Sequence, residues 1–158
     1  GAHAGGGVIS VYAGATLAGT GTVGAVTVAD GGGFAPGASA GTLTVGDLTL
    51  DGGATLEYDL GTSSDLVLAS TVVLGGIEFA DFTFIQGVGF GPGSYILIDA
   101  TTISGLGAGT TGTIGSYNAE LSIDGDAQDL VLTVIPEPTT LGLLGFCAAI
   151  AALRRRLR

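Results

Sequence analysis

Lysine is absent from this 158-residue chain, as are methionine and tryptophan, and its four arginines all fall within the last five residues. The first 153 residues therefore hold fourteen carboxylates and no Lys or Arg. That imbalance excludes nucleic acid and anionic lipid as partners of the body, because phosphate binding needs basic side chains. It also denies the body internal salt bridges, so cohesion must come from apolar burial and backbone hydrogen bonds. A single cysteine, Cys147, leaves no intramolecular disulfide to form. The one histidine, His3, reads as a terminal residue rather than a catalytic base. The sequence opens on Gly1 instead of methionine, without a signal-peptide pattern, which reads as processing or as a piece of a longer chain.

Glycine, by contrast, is abundant: 31 residues, about a fifth of the chain against a usual ~7%. Each interior glycine costs a helix about 1 kcal/mol relative to alanine. Here the glycines alternate with Val, Leu, Ile and Thr, which favour strands. With 46% hydrophobic residues the body is too apolar for disorder. An all-β protein rich in tight turns is expected.

A repeat organises the first sixty residues. The segments ISVYAGATL (9–17), VTVADGGGF (26–34) and LTLDGGATL (48–56) align at spacings of 17 and 22. Each begins apolar, Ser or Thr, apolar, which on a strand sends two side chains inward and one hydroxyl outward. Gly14, Gly31 and Gly53 fall at matching corners, where positive φ or close backbone approach is expected. One such unit cannot bury its apolar face, but stacked coils can, which predicts a parallel β-helix or related solenoid. A sandwich or barrel of glycine-rich hairpins is the competing architecture. TVVLGGIEF (71–79) reads as a looser fourth unit with its corner at Gly75 and Gly76. Residues 94–99 read as a strand, 103–116 as loop, and 119–123 with 129–134 as a hairpin around Asp124 and Gly125. The expected division is a repeat region at 1–75, a β-rich capping region at 76–134, a linker motif at 135–138 and a membrane helix with basic tail at 139–158.

The tail carries the strongest signal. Pro136, Glu137 and Pro138 precede fifteen uncharged residues, 139–153, and then Arg154, Arg155, Arg156 and Arg158. The two prolines keep their neighbours extended. Fifteen residues span only about 22 Å as a helix, short of a ~30 Å bilayer core, so the arginines must snorkel to lengthen the span. Residues 141–153 are apolar all round rather than along one stripe, unlike a buried amphipathic helix. Positive charge stays cytoplasmic, which places the body on the far side of the inner membrane.

Chemistry is sparse elsewhere. Lyases of β-helix type need a basic side chain that the body lacks, whereas glycoside hydrolysis needs only two carboxylates. Glu57 with Asp59, and Glu78 with Asp81, are the candidate pairs, and solvated surface is the plainer reading of both. Asp124, Asp126 and Asp129 could offer calcium oxygen ligands but lack the twelve-residue loop and its terminal Glu, so a hairpin turn is expected. Cys147 reads as a helix-packing residue. Tyr12, Tyr58, Tyr95 and Tyr117 are scattered along the sequence and define no stacking platform. No catalytic residue, metal site or cofactor is expected, and the chain is read as a non-enzyme.

Two resemblances extend this reading. Pro136, Glu137 and Pro138, the apolar segment and the arginine cluster resemble the PEP-CTERM sorting signal in composition, order and terminal position. That resemblance implies export, cleavage near Pro138 by an exosortase-type membrane protease, and an inner-membrane precursor that ends at the cell surface or outside it. It further implies an association with exopolysaccharide or biofilm. TLAGTG (16–21) and PGASAGTLTV (36–45) resemble autotransporter-associated β-strand repeats, which implies a passenger-type β-helix over about residues 8–80. The expected function is structural or adhesive, with exopolysaccharide a candidate partner. The alternative is a C-terminal fragment of a β-helix carbohydrate-active enzyme.

Overall fold

The computed structural model describes residues 7–136, and the expected membrane helix at 139–158 lies outside them. The described residues form fourteen strands and one short 3-10 turn, Phe79–Asp81, with no α-helix among them. None of them forms a helix long and apolar enough to cross a membrane. The strands are β1 (Ile9–Val11), β2 (Thr16–Gly19), β3 (Gly21–Thr22), β4 (Val26–Val28), β5 (Gly33–Pro36), β6 (Thr42–Thr44) and β7 (Leu48–Leu50). They continue as β8 (Thr55–Leu60), β9 (Leu66–Val73), β10 (Phe82–Gln86), β11 (Gly93–Ser104), β12 (Thr111–Ile114), β13 (Tyr117–Ile123) and β14 (Asp129–Ile135).

Parallel pairing stacks these strands rung upon rung. Ile9 pairs with Val26, Val26 with Leu48, Leu48 with Val72 and Val72 with Ile103, giving steps of 17, 22, 24 and 31 residues. The aligned triplets therefore become one apolar column through five rungs. Beside it Ser10, Thr27, Thr49, Val73 and Ser104 form the outward column. A second sheet, in the order β10-β8-β5-β2, stacks Leu17, Phe34, Leu56 and Phe82 against the first. A third column, Leu43, Val67 and Ile98, completes the interior. Of these, Val26, Leu48, Val72, Phe34, Leu56, Val67 and Ile98 are at most 1% exposed. At about 1.5–3 kcal/mol for each fully buried large apolar side chain, these columns are the main source of cohesion.

Corners recur with the strands. Ala15 N–H donates to Tyr12 O, Gly32 to Ala29, Ala54 to Asp51 and Ile77 to Leu74, closing the same turn in four successive coils. The corner glycines also bond along the stack: Gly14 N–H donates to Gly31 O, and Gly31 N–H to Gly53 O, both at 2.9 Å. Gly14 and Gly31 adopt φ of 79° and 73°. Gly53 has no positive φ, but a Cβ there would run into the Asp30 carboxylate. Both reasons for glycine at the corner thus occur, at different coils.

Two sequence expectations need correction. The strand of the fourth unit is offset by one residue, since Leu48 pairs with Val72 rather than Thr71, while its corner keeps the expected alignment, Ile77 N–H to Leu74 O matching Ala54 N–H to Asp51 O. The coil is one residue shorter between strand and corner, since Leu48 precedes Asp51 by three residues and Val72 precedes Leu74 by two; β9 meanwhile joins into one strand what β6 and β7 hold as two, pairing β6 through Leu66 to Leu68 and β7 through Val72 and Val73. Residues 103–116 are not all loop, because β11 runs to Ser104 and β12 occupies Thr111–Ile114. β12 forms where it can pair antiparallel with β13, a tertiary partner that outweighs its glycine and threonine content.

Beyond β11 the pairing becomes antiparallel, in the order β11-β14-β13-β12. β14 is interior, matching Gly93 with Val134 on one side and Ile123 with Leu130 on the other. Phe79, Phe82 and Phe84 pack together at 5.3–5.5 Å beside this end, with Phe79 against Gly112 of β12.

Candidate functional site

Pro136, the first residue of the expected sorting motif, directly follows β14. Ile135 still pairs with Asn118 of β13, and Pro136 follows it with no intervening linker. Proline has no N–H to offer, so the ladder ends there. Pro136 is exposed, and Ile135, 45% exposed, lines a shallow groove of about 410 Å³ with Thr111, Thr113, Asn118 and Glu120. Glu137, Pro138, Arg154, Arg155, Arg156 and Arg158 lie outside the described residues, as do His3 and Cys147.

The carboxylate pairs fall in three settings. Glu57 and Asp59 share the outward face of β8, alternating with buried Leu56, Tyr58 and Leu60. Glu78 and Asp81 instead serve the 3-10 turn: Asp81 accepts from Glu78 N–H at 2.7 Å, and Glu78 accepts from Gly109 N–H at 3.2 Å. Asp124 accepts from Gln128 and Asp129 N–H at 2.9 and 3.1 Å, so the predicted hairpin turn is present. Those donors hold the Asp124 carboxyl below the ordinary carboxylate range, whereas desolvation and then the neighbouring Asp99 raise Asp129. No group of three potential metal ligands occurs among the described residues.

Sequence reasoning missed Asp65, the one charged side chain buried in the described body, at 3% exposure. Its Oδ1 accepts from Gly41 N–H at 2.9 Å and its Oδ2 from Asp59 N–H at 2.7 Å. Burial raises its pKa; the two backbone donors oppose that rise, and Asp59 and Glu57 add to it. Behind it the Tyr58 hydroxyl is fully buried with no hydrogen-bond partner among the described residues, and desolvation followed by the Asp65 charge pushes its pKa well up. Outside, Ser39, Asp59, Thr62, Ser63 and Val88 line a groove of about 420 Å³, whose loops Thr62 ties by donating to Val88 O at 3.0 Å. The tyrosines are less scattered than their numbers imply. Tyr95 stacks on Phe90 at 5.7 Å and Tyr117 meets the same ring edge-on at 6.0 Å. Tyr95 Oη is engaged with the Gly91 backbone, so this cluster is packing rather than an open platform.

Comparison with known families agrees with the position of the tail. Residues 134–156 match the PEP-CTERM protein-sorting motif. The match covers the last two residues of β14 and ends at Arg156, within the arginine cluster. That motif marks an exported protein, transiently anchored in a membrane and processed by an exosortase. No curated protein matches the chain.

Proposed function

We propose that this chain is a non-enzymatic structural or adhesive protein of the cell surface or extracellular matrix, its coils forming a β-solenoid display module released from its anchor near Pro138. The observation that carries this reading is the abutment of the sorting motif on β14. Every residue of the described core lies upstream of the expected cleavage point, so processing leaves the module whole. Two prolines about Glu137 suit a protease that takes an extended peptide, and a terminal arginine cluster suits a cytoplasmic foot.

The engagement of Glu78 and Asp81 with backbone N–H groups favours display over glycoside hydrolysis. Exopolysaccharide is the fitting ligand class, and the hydroxyl-lined groove beside Asp59 suits neutral sugars rather than uronates, given a body without cations. The test follows both ends of the chain. With each terminus tagged, expression beside an active exosortase should give a surface form that keeps the upstream tag and loses the C-terminal one. Retention of the C-terminal tag on the mature surface form, or unchanged trafficking after alanine replacement of Pro136, Glu137 and Pro138, would overturn the sorting role.

A further inference from the structure

The family match and the fold overlap at Val134 and Ile135, which open the match and end β14. Both are held in the sheet, but unequally. Val134 pairs with Ala119 of β13 and with Gly93 of β11, and it is 2% exposed. Ile135 pairs with Asn118 of β13 alone among the described residues, because β11 starts only at Gly93, after Pro92. The strand end can therefore fray by one residue at little cost and stops at the next. Freeing Val134 breaks pairing on both sides and uncovers an apolar side chain.

Downstream there is little slack. Pro136, Glu137 and Pro138 can span no more than about 10 Å between Ile135 and the uncharged segment that starts at Thr139. The headgroup layer of a bilayer is itself roughly 5–7 Å deep on each side. A folded body on so short a leash lies against the membrane surface. A protease cleft in that membrane takes its substrate as an extended chain whose backbone groups are free. Those of Val134 and Ile135 are committed to the sheet.

We propose that the end of β14 is a clamp on anchor release: the protease acts on the state in which Ile135 and Val134 have left β13. Val134 is the positioning residue that holds the clamp shut. The inference rests on the sorting role proposed above and adds the step that limits it. A cut that needs a locally opened state tracks the population of that state when opening and closing outpace cutting. Release then follows folding of the body, and its rate is set by how firmly the last strand is paired.

Loss of a C-terminal tag from the full chain, followed over time beside an active exosortase, tests the clamp. Inserting Gly-Ser-Gly-Ser-Val-Ile between Ile135 and Pro136 leaves β14 intact and places a second copy of the matched residues beyond the sheet. Release from that spaced junction should be about tenfold faster or more than from the native one. Val134→Ala should speed release at the native junction and leave the spaced junction unchanged. That split separates opening of the strand from recognition of its side chain by the protease. In a Cys147→Ser background, Asn118→Cys with Ile135→Cys should hold the anchor until reductant is added, while Ile135→Cys alone releases it. Equal release from the native and spaced junctions, or equal acceleration of both by Val134→Ala, would overturn the clamp and leave the sorting role standing. Release from neither junction would overturn the sorting role and the clamp with it.

Discussion

Asp65 shows how a body without cations can hold a buried carboxylate. Its two oxygens take the N–H groups of Gly41 and Asp59, joining the corner before β6 to the strand β8. It also explains a glycine nearby: Gly37 has φ of 85°, and a Cβ there would strike the Asp65 carboxylate. Asp65→Ala strands two backbone donors, each costing about 1–3 kcal/mol, and should lower stability by roughly 2–6 kcal/mol in denaturant titration. Tyr58→Phe should act in the opposite direction. It removes a buried hydroxyl without a partner, and a gain of about 1 kcal/mol is expected. A loss of stability in Tyr58→Phe would mean that the hydroxyl is satisfied in solution.

Among the elements, β14 decides whether the sorting tail and the body are separable. It is the interior strand between β11 and β13, and Leu130, Leu132 and Val134 from it are 0–2% exposed. A stop after Pro136 removes none of this and should leave the unfolding midpoint of the body unchanged. A stop after Gln128 removes three buried side chains worth roughly 5–9 kcal/mol together, comparable with the whole stability of a domain. That shorter chain should lose its cooperative transition, as followed by circular dichroism. The contrast also shows what the sequence could reveal. The sorting residues were legible because their signal is linear and contiguous. The first three rungs were legible because coil lengths of 17 and 22 keep triplet and corner in step. The register slipped at the fourth coil, where one residue fewer separates Val72 from the Leu74 corner than separates Leu48 from Asp51, and the coils lengthen to 24 and 31 residues. Asp65 left no pattern at all, because Gly41 lies 24 residues away in sequence and meets it only through stacking. Tyr95 and Tyr117 likewise converge on Phe90 only once β14 has brought β11 and β13 to either side of it.

For the molecule as a whole, charge of one sign makes stability a function of proton and salt concentration. The full chain carries a formal −10, the balance of fourteen acids and four arginines, so the proposed cleavage near Pro138 would remove every arginine and leave the acids unopposed. Screening should therefore matter more after processing than before it, as the Debye length falls from about 30 Å at 0.01 M salt to about 8 Å at 0.15 M. Protonation acts in the same direction. Asp65 and Asp129 are raised in the folded state, so the native protein keeps protons that the unfolded chain has already lost. Their ionisation costs stability as pH rises through the window from the ordinary carboxylate value to the raised native one, and acidification relieves that cost. Asp124 is lowered and works oppositely, its contribution being lost only as pH falls below the ordinary range. The processed body should accordingly melt at a higher temperature at pH 5 than at pH 8, with the difference shrinking in 0.15 M salt and again in Asp65→Asn. Calorimetry across that range decides it: a melting temperature that rises with pH would mean that paired carboxylates, rather than unopposed ones, govern this body.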